Sequence, residues 1–297
     1  MKLIIEILKG MVIGLANVIP GVSGGTMMVS MGIYDTLIWC INNLFKHFVK
    51  CVKTIWPYLV GMVAAIIIGA FTLKVAFKSL PLPTNTLFIG LILGGVPTIW
   101  KEMKDEKKGV PGIIIFVIFF AVVVALKAVE GENATAITLS AVEVVKLLFL
   151  GAIASATMVI PGVSGSMILK TLGYYEPIVT EAIPGLLKDG IAAGNLSVVA
   201  HNLGILLPFA VGIVIGIFGI AKLIDLLMRK WKGQTYCAIM GMVVASPVAI
   251  LMDSNNYAGG VSAPIIIISV VTFMIGLVIA MKLGGEPTPV EGVSDKN

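Results

Sequence analysis

Eight stretches of this chain contain no Asp, Glu, Lys or Arg: residues 10–34, 54–73, 79–100, 109–126, 147–169, 190–221, 233–252 and 254–281. A helix that crosses a bilayer needs about 20 predominantly apolar residues, and most of these runs are long enough. Lipid offers no hydrogen-bond partner to a backbone, so the runs predict an all-α, polytopic integral membrane protein. Composition agrees, with 58% of the 297 residues hydrophobic, 12% charged and a mean hydropathy of +1.04. Soluble domains carry about 25% charged residues, so an ordinary soluble globule is excluded.

The net charge is +5, from 21 Lys+Arg against 16 Asp+Glu. A basic chain can bind nucleic acid, but here no basic patch comes with interleaved aromatics or a binding motif, so no nucleic-acid partner is expected. The three cysteines, Cys40, Cys51 and Cys237, are odd in number and form no CxxC pair or His-rich spacing. They argue against a disulfide framework and against a metal site. No cofactor is expected. Met1–Ile5 begins like a signal peptide, but Glu6 and Lys9 interrupt the apolar run and no small-residue cleavage site precedes Pro20. The segment is read as retained.

The first and fifth runs share a motif. Val18-Ile19-Pro20-Gly21-Val22-Ser23-Gly24 recurs 141 residues later as Val159-Ile160-Pro161-Gly162-Val163-Ser164-Gly165. The same offset carries Gly10 to Gly151, Gly32 to Gly173, Tyr34 to Tyr175 and Asp35 to Glu176. Further on, Pro57 and Gly61 match Pro208 and Gly212, and Gly90 matches Gly241. Ordered landmarks after an ungapped identity mark an internal duplication, here of residues 1–135 and 136–297 within one membrane domain.

Pro-Gly-Val-Ser-Gly cannot continue a helix, because proline lacks an N–H and glycine is entropically costly there. The apolar run therefore breaks at 20–21 and a new helix starts near Val22 or Ser23. From Pro20 to Gly32 spans roughly 18 Å of helix, about half of a ~30 Å hydrocarbon core. Gly32 reads as a helix stop, Tyr34 as an interfacial ring and Asp35 as the next N-cap. Leu37, Ile38, Ile41, Leu44, Phe45, Phe48, Val49 and Val52 then predict an amphipathic surface helix, with Lys46, Lys50 and Lys53 on its polar side.

Each half thus reads as a re-entrant hairpin plus three crossings, 56–74, 85–100 and 111–127 in the first and 202–222, 235–252 and 264–281 in the second. Three is odd, so the halves are expected to be inverted repeats. With both termini cytoplasmic, 15 of the 21 Lys+Arg lie inside, as the positive-inside rule requires.

Two such tips entering from opposite faces would meet near the midplane, an arrangement used by transport sites. Free N–H groups at Val22, Ser23, Gly24 and Gly25, and at Val163, Ser164, Gly165 and Ser166, would cradle an anion. The hydroxyls of Ser23, Thr26, Ser164 and Ser166 and the amide of Asn17 add donors. Pro20, Gly21, Pro161 and Gly162, at the tips themselves, complete the expected substrate-binding residues. The plain structural alternative is that both motifs only kink helices. Gly90-x-x-x-Gly94 and Gly212-x-x-x-Gly216 read as helix-packing surfaces. Lys9 and Lys170 are candidate charge guides that otherwise snorkel to the interface. Asp35, Glu176 and His201 are candidate proton carriers, read first as interfacial caps or an interfacial histidine. Arg229, the lone arginine, reads as an inside anchor.

With Pro20-Gly21-Val22-Ser23-Gly24-Gly25-Thr26 and Pro161-Gly162-Val163-Ser164-Gly165-Ser166-Met167 in view, the chain resembles a prokaryotic polytopic family linked to polyprenyl-phosphate transport. The stretch Ala16–Thr26 is typical of it, and the similarity covers nearly the whole length. The resemblance implies a translocase for undecaprenyl phosphate or a related carrier lipid in the cytoplasmic membrane. It would return spent carrier from the outer to the cytoplasmic leaflet, with proton or sodium coupling open. From the residues themselves only an anionic cargo follows, so a small-anion transporter or channel for phosphate or a sulfonate stays open. An enzyme is not expected, since no nucleophile–His–acid set and no HExxH are present. Ser166 and Met167 stand where the first motif has Gly25 and Thr26, so the two half-sites are not equivalent.

Overall fold

The structure is a computed structural model. It describes every residue except 1, 19–22, 105, 107–108, 130–136, 258–259 and 285–297. For residues 2, 18 and 68–74 it describes the backbone alone. The expected site residues Pro20, Gly21 and Val22 therefore lie outside the described residues.

Eleven α-helices appear among the described residues. The first half holds α1 (Lys2–Val18), α2 (Gly24–Ser30), α3 (Tyr34–Asn43), α4 (Phe48–Ser79), α5 (Pro81–Met103) and α6 (Gly109–Ala128). The second holds α7 (Ala141–Val159), α8 (Gly165–Thr171), α9 (Leu196–Lys230), α10 (Lys232–Leu251) and α11 (Ala263–Leu283). Seven of them (α4, α5, α6, α7, α9, α10 and α11) are long and apolar enough to cross a membrane. The chain is a multi-pass membrane protein.

Local chemistry sets the boundaries. α2 and α8 are both followed by a glycine in the left-handed region, Gly32 at φ 67° and Gly173 at φ 78°, as at a helix C-terminus. Ser140 caps α7 by accepting the Glu143 N–H at 3.2 Å, half of the Ser-x-x-Glu capping box. Asn195 accepts from the N–H groups of Ser197 and Val198 to start α9.

Helices at matching places in the two halves pack alike. α1 runs along α4 as α7 runs along α9. A Cβ on Gly10 would lie 2.2 Å from the Tyr58 carbonyl oxygen, and one on Gly151 would lie 2.1 Å from that of Phe209. The last helices are exchanged: α6 packs on α10 and α11 on α5. Gly90 admits the Phe273 carbonyl at 2.1 Å from its missing Cβ, and Gly241 admits Phe116 at 2.4 Å. α5 and α10 are the most buried of the long helices, while α6, α9 and α11 present most of their surface outward. Phe88, Ile92, Ile99 and Val243 fill the centre beside Met27 of α2 and Met31, which follows that helix.

Several sequence expectations change. The surface helix is not one element, because residues 44–47 turn between α3 and α4. The Asn43 carbonyl accepts the His47 N–H at 2.8 Å in this turn. Asn42 donates its side-chain amide to the Ala221 carbonyl at 2.9 Å, fastening α3 to α9. The first crossing starts earlier than expected, since α4 continues from Phe48 straight through Pro57. The counterpart of the α3 region holds two π-helical stretches, Glu176–Ala182 and Gly185–Ala192, which the sequence reading did not anticipate.

Candidate functional site

The two duplicated motifs touch. The Gly162 N–H donates to Thr26 Oγ1 at 2.6 Å, and Ser23 Oγ donates to the Ile160 carbonyl at 3.3 Å. Gly25 makes the approach sterically feasible, since a Cβ there would sit 2.7 Å from the Val159 carbonyl oxygen. Gly162 carries two constraints: φ is +83°, and its missing Cβ would lie 2.7 Å from the Met242 carbonyl oxygen. Only glycine meets both cheaply.

Burial follows from this contact. Thr26 is fully buried and Ser23 is 3% exposed, so their hydroxyls are committed to tip-to-tip bonds in this conformation. Val163, Gly165 and Pro161 are buried, whereas Ser164 and Ser166 are half-buried. The Ser164 and Ser166 hydroxyls pair with each other at 2.8 Å. The first backbone bond across the α8 start is the Ile168 N–H to the Ser164 carbonyl, which leaves the preceding first-turn N–H groups aimed past the helix end. Asn17 is exposed at the end of α1, and a Cβ on Gly24 would meet its side chain at 2.4 Å.

The charged candidates separate. Lys9 is 4% exposed, which corrects the snorkelling expectation. It shares an i, i+4, i+7 stripe of α1 with Ile13 and Ala16, both fully buried, so the helical period turns it inward. Glu6, three residues back on α1, is the acid whose charge acts on it. Lys170 is half-buried, with its ammonium 5.4 Å from the Tyr175 ring centroid. His201 and Glu176 are exposed. Arg229 pairs with Asp225 at 3.0 Å one turn away.

Asp35 is not the cap the sequence suggested. Ile33 holds the N-cap position of α3, and Asp35 sits in the first turn. Its carboxylate accepts the Tyr236 hydroxyl at 2.7 Å, across 201 residues. Burial raises the Asp35 carboxyl above its ordinary range, while the Tyr236 hydrogen bond and the Lys232 charge oppose the shift. Lys232 also reaches Glu106 at 3.4 Å and Glu102 at 3.8 Å. This cluster was missed. No local sequence signal pointed to it, because Tyr236 lies 201 residues from Asp35. A second missed group is Glu143, which accepts from the Tyr174 hydroxyl at 2.9 Å and from Lys146 at 3.2 Å. Among the described residues, no group of His, Cys, Asp and Glu could hold a metal ion.

Comparison with known proteins gives a consistent result. The profile of the VCA0040-like family, described as undecaprenyl phosphate translocase-like, matches residues 13–264. A polyprenyl-phosphate transporter of Staphylococcus aureus is 29% identical over 293 residues, 94% of this chain and 95% of the relative. One of Vibrio cholerae is 28% identical over 254 residues, 80% of this chain and 74% of the relative. No solved structure matches. With both motifs inside a match that spans most of its length, the chain belongs to the VCA0040-like, undecaprenyl phosphate translocase-like family.

Proposed function

We propose that this protein carries a polyprenyl monophosphate, such as undecaprenyl phosphate, from the outer to the cytoplasmic leaflet of a prokaryotic cytoplasmic membrane, with no covalent chemistry. The observation that carries this reading is the contact between the two duplicated motifs, Thr26 to Gly162, in a chain whose relatives are named polyprenyl-phosphate transporters. Residues 1–135 and 136–297 act as inverted repeats. Each is a re-entrant hairpin followed by three crossings, and both termini are cytoplasmic. The exchange of α6 and α11 supports a two-fold relation between the halves, and the cation distribution supports the inversion.

In the described conformation the tips close on each other. Passage of a phosphate requires them to part, which frees the hydroxyls of Ser23 and Thr26 and the Gly162 N–H. These groups, with Ser164, Ser166 and the first-turn N–H groups, then take the phosphate oxygens while the prenyl chain stays in lipid. The buried ammonium of Lys9 and that of Lys170 draw the anion inward. Asp35, Glu176 and His201 are the proton-coupling candidates, and Asp35 has the setting for it.

The test is reconstitution of the purified chain in liposomes, following leaflet exchange of a polyprenyl monophosphate and, in parallel, flux of inorganic phosphate. Exchange of the lipid without phosphate flux is expected. Phosphate flux without lipid exchange would replace this reading with a small-anion transporter.

A further inference from the structure

We infer that a groove beside α7 seats the isoprenoid chain of the carrier lipid, with Lys146 binding its phosphate. The inference rests on the transport reading above and adds a separate substrate site to it. The groove has a volume of about 630 Å³ and lies between α7 and the turn that follows α8. Its walls are Val142, Val145, Phe149, Ile153 and Leu172, all largely exposed. The polar lining comes from Lys146 and Tyr174.

An apolar trough with one cation suits a ligand that is long, greasy and anionic at one end. Lys146 has its side chain 56% exposed and gives one contact to Glu143 at 3.2 Å. An ammonium has three donors, so two remain for a phosphate. Glu143 is itself held by Tyr174, which keeps the lysine oriented along α7. Leu172 directly follows α8, whose first residues belong to the Ser164–Ser166 tip. A short helix of about 10 Å therefore links the groove to the proposed translocation site.

The duplicated half supplies an internal control. Leu172 is 45% exposed, and its counterpart Met31 is fully buried; Ile153 is 46% exposed, and its counterpart Val12 is 9% exposed. Ser30 explains part of the difference, since it sits against Gly95 of α5 and donates to the Ile92 carbonyl. The counterpart Thr171 bonds back to Met167 of its own helix. The same motif geometry is thus open on one side and covered on the other. In the proposed topology the open side is the outer one, where spent carrier is collected.

The test uses the full chain in detergent with a photoreactive polyprenyl monophosphate, mapping adducts by mass spectrometry. Adducts are expected within 142–153 or at Leu172, displaced by geranylgeranyl monophosphate, about tenfold more weakly by geranylgeraniol, and not by phosphatidate. Lys146→Ala should weaken binding about tenfold, the loss of one charge-assisted contact. Glu143→Gln should tighten it by freeing the lysine. Leu172→Trp, a change at an exposed position, should block labelling. Adducts confined to other segments, equal displacement by phosphatidate (an ordinary lipid acyl chain) or cross-links to a second copy would each overturn the assignment. Leaflet exchange without groove labelling would discard the groove and keep the transport reading. Groove labelling without exchange would do the reverse.

Discussion

Thr26 Oγ1 accepts the Gly162 N–H at 2.6 Å, joining the two copies of one motif across 136 residues of chain. The bond is buried, so removing its acceptor strands a donor at a cost of about 1–3 kcal/mol. Thr26→Val is expected to shorten the thermal half-life in detergent, while Thr26→Ser keeps it near that of the parent. A loss for Thr26→Ser with none for Thr26→Val would show that the methyl packing, not the hydrogen bond, holds the tips.

Asp35 titrates above the ordinary aspartate value of 3.8, chiefly because it is buried. A carboxyl whose folded pKa is raised stabilises the fold fully below its unfolded pKa, and that contribution is lost as pH rises through the folded pKa. Relative to Asp35→Asn, the parent should therefore lose stability as pH climbs from below 3.8 through the raised value. Tyr236→Phe removes a bond that favours the carboxylate and should move the loss to higher pH. Thermal half-lives over a pH series check both. A flat difference between parent and Asp35→Asn would contradict the burial argument.

Gly90 and Gly219 give opposite expectations for the same substitution. A Cβ on Gly90 meets the Phe273 carbonyl oxygen at 2.1 Å, whereas nothing lies within 4 Å of one on Gly219. Gly90→Ala should push α11 off α5 and yield little monodisperse protein. Gly219→Ala should be neutral or stabilising by up to about 1 kcal/mol from helix propensity. Size-exclusion profiles of the two variants decide the matter.

The inverted arrangement predicts that residues 104 and 255 face opposite sides of the membrane. Both are exposed, and the native Cys40, Cys51 and Cys237 are buried. Burial, with Cys51 close by, pushes the Cys40 thiol up to about 12, which leaves almost no thiolate to react near neutral pH. Lys104→Cys and Asn255→Cys should label from opposite faces of sealed vesicles. Labelling of both from one face would rule out the inversion.

Much of this fold was legible because its determinants are local or periodic. Charge-free runs marked the long helices, and the 141-residue offset paired Pro161 with Pro20 before any contact was known. Gly32 and Gly173 announced the ends of α2 and α8, since a left-handed residue there favours glycine. What escaped depends on partners far along the chain. Asp35 looked like a cap because its partner Tyr236 is 201 residues away. Lys9 looked interfacial by its distance from the terminus, yet the turn of α1 faces it inward. The pairing of Ser23 and Thr26 with the opposite tip needs the tertiary contact itself, because the motif reads equally well as a row of free donors.

The most direct measurement is the rate at which a polyprenyl monophosphate changes leaflets in liposomes holding the Ser23→Ala, Ser164→Ala double variant. Each hydroxyl is assigned a hydrogen bond to a charged phosphate, worth about 1.5–3 kcal/mol. Exchange about a hundredfold or more slower than the parent is predicted, measured where the variant stays folded, since Ser23→Ala also removes the bond to the Ile160 carbonyl. A double variant that exchanges the lipid at the parent rate would contradict the assignment of the phosphate site to the two tips.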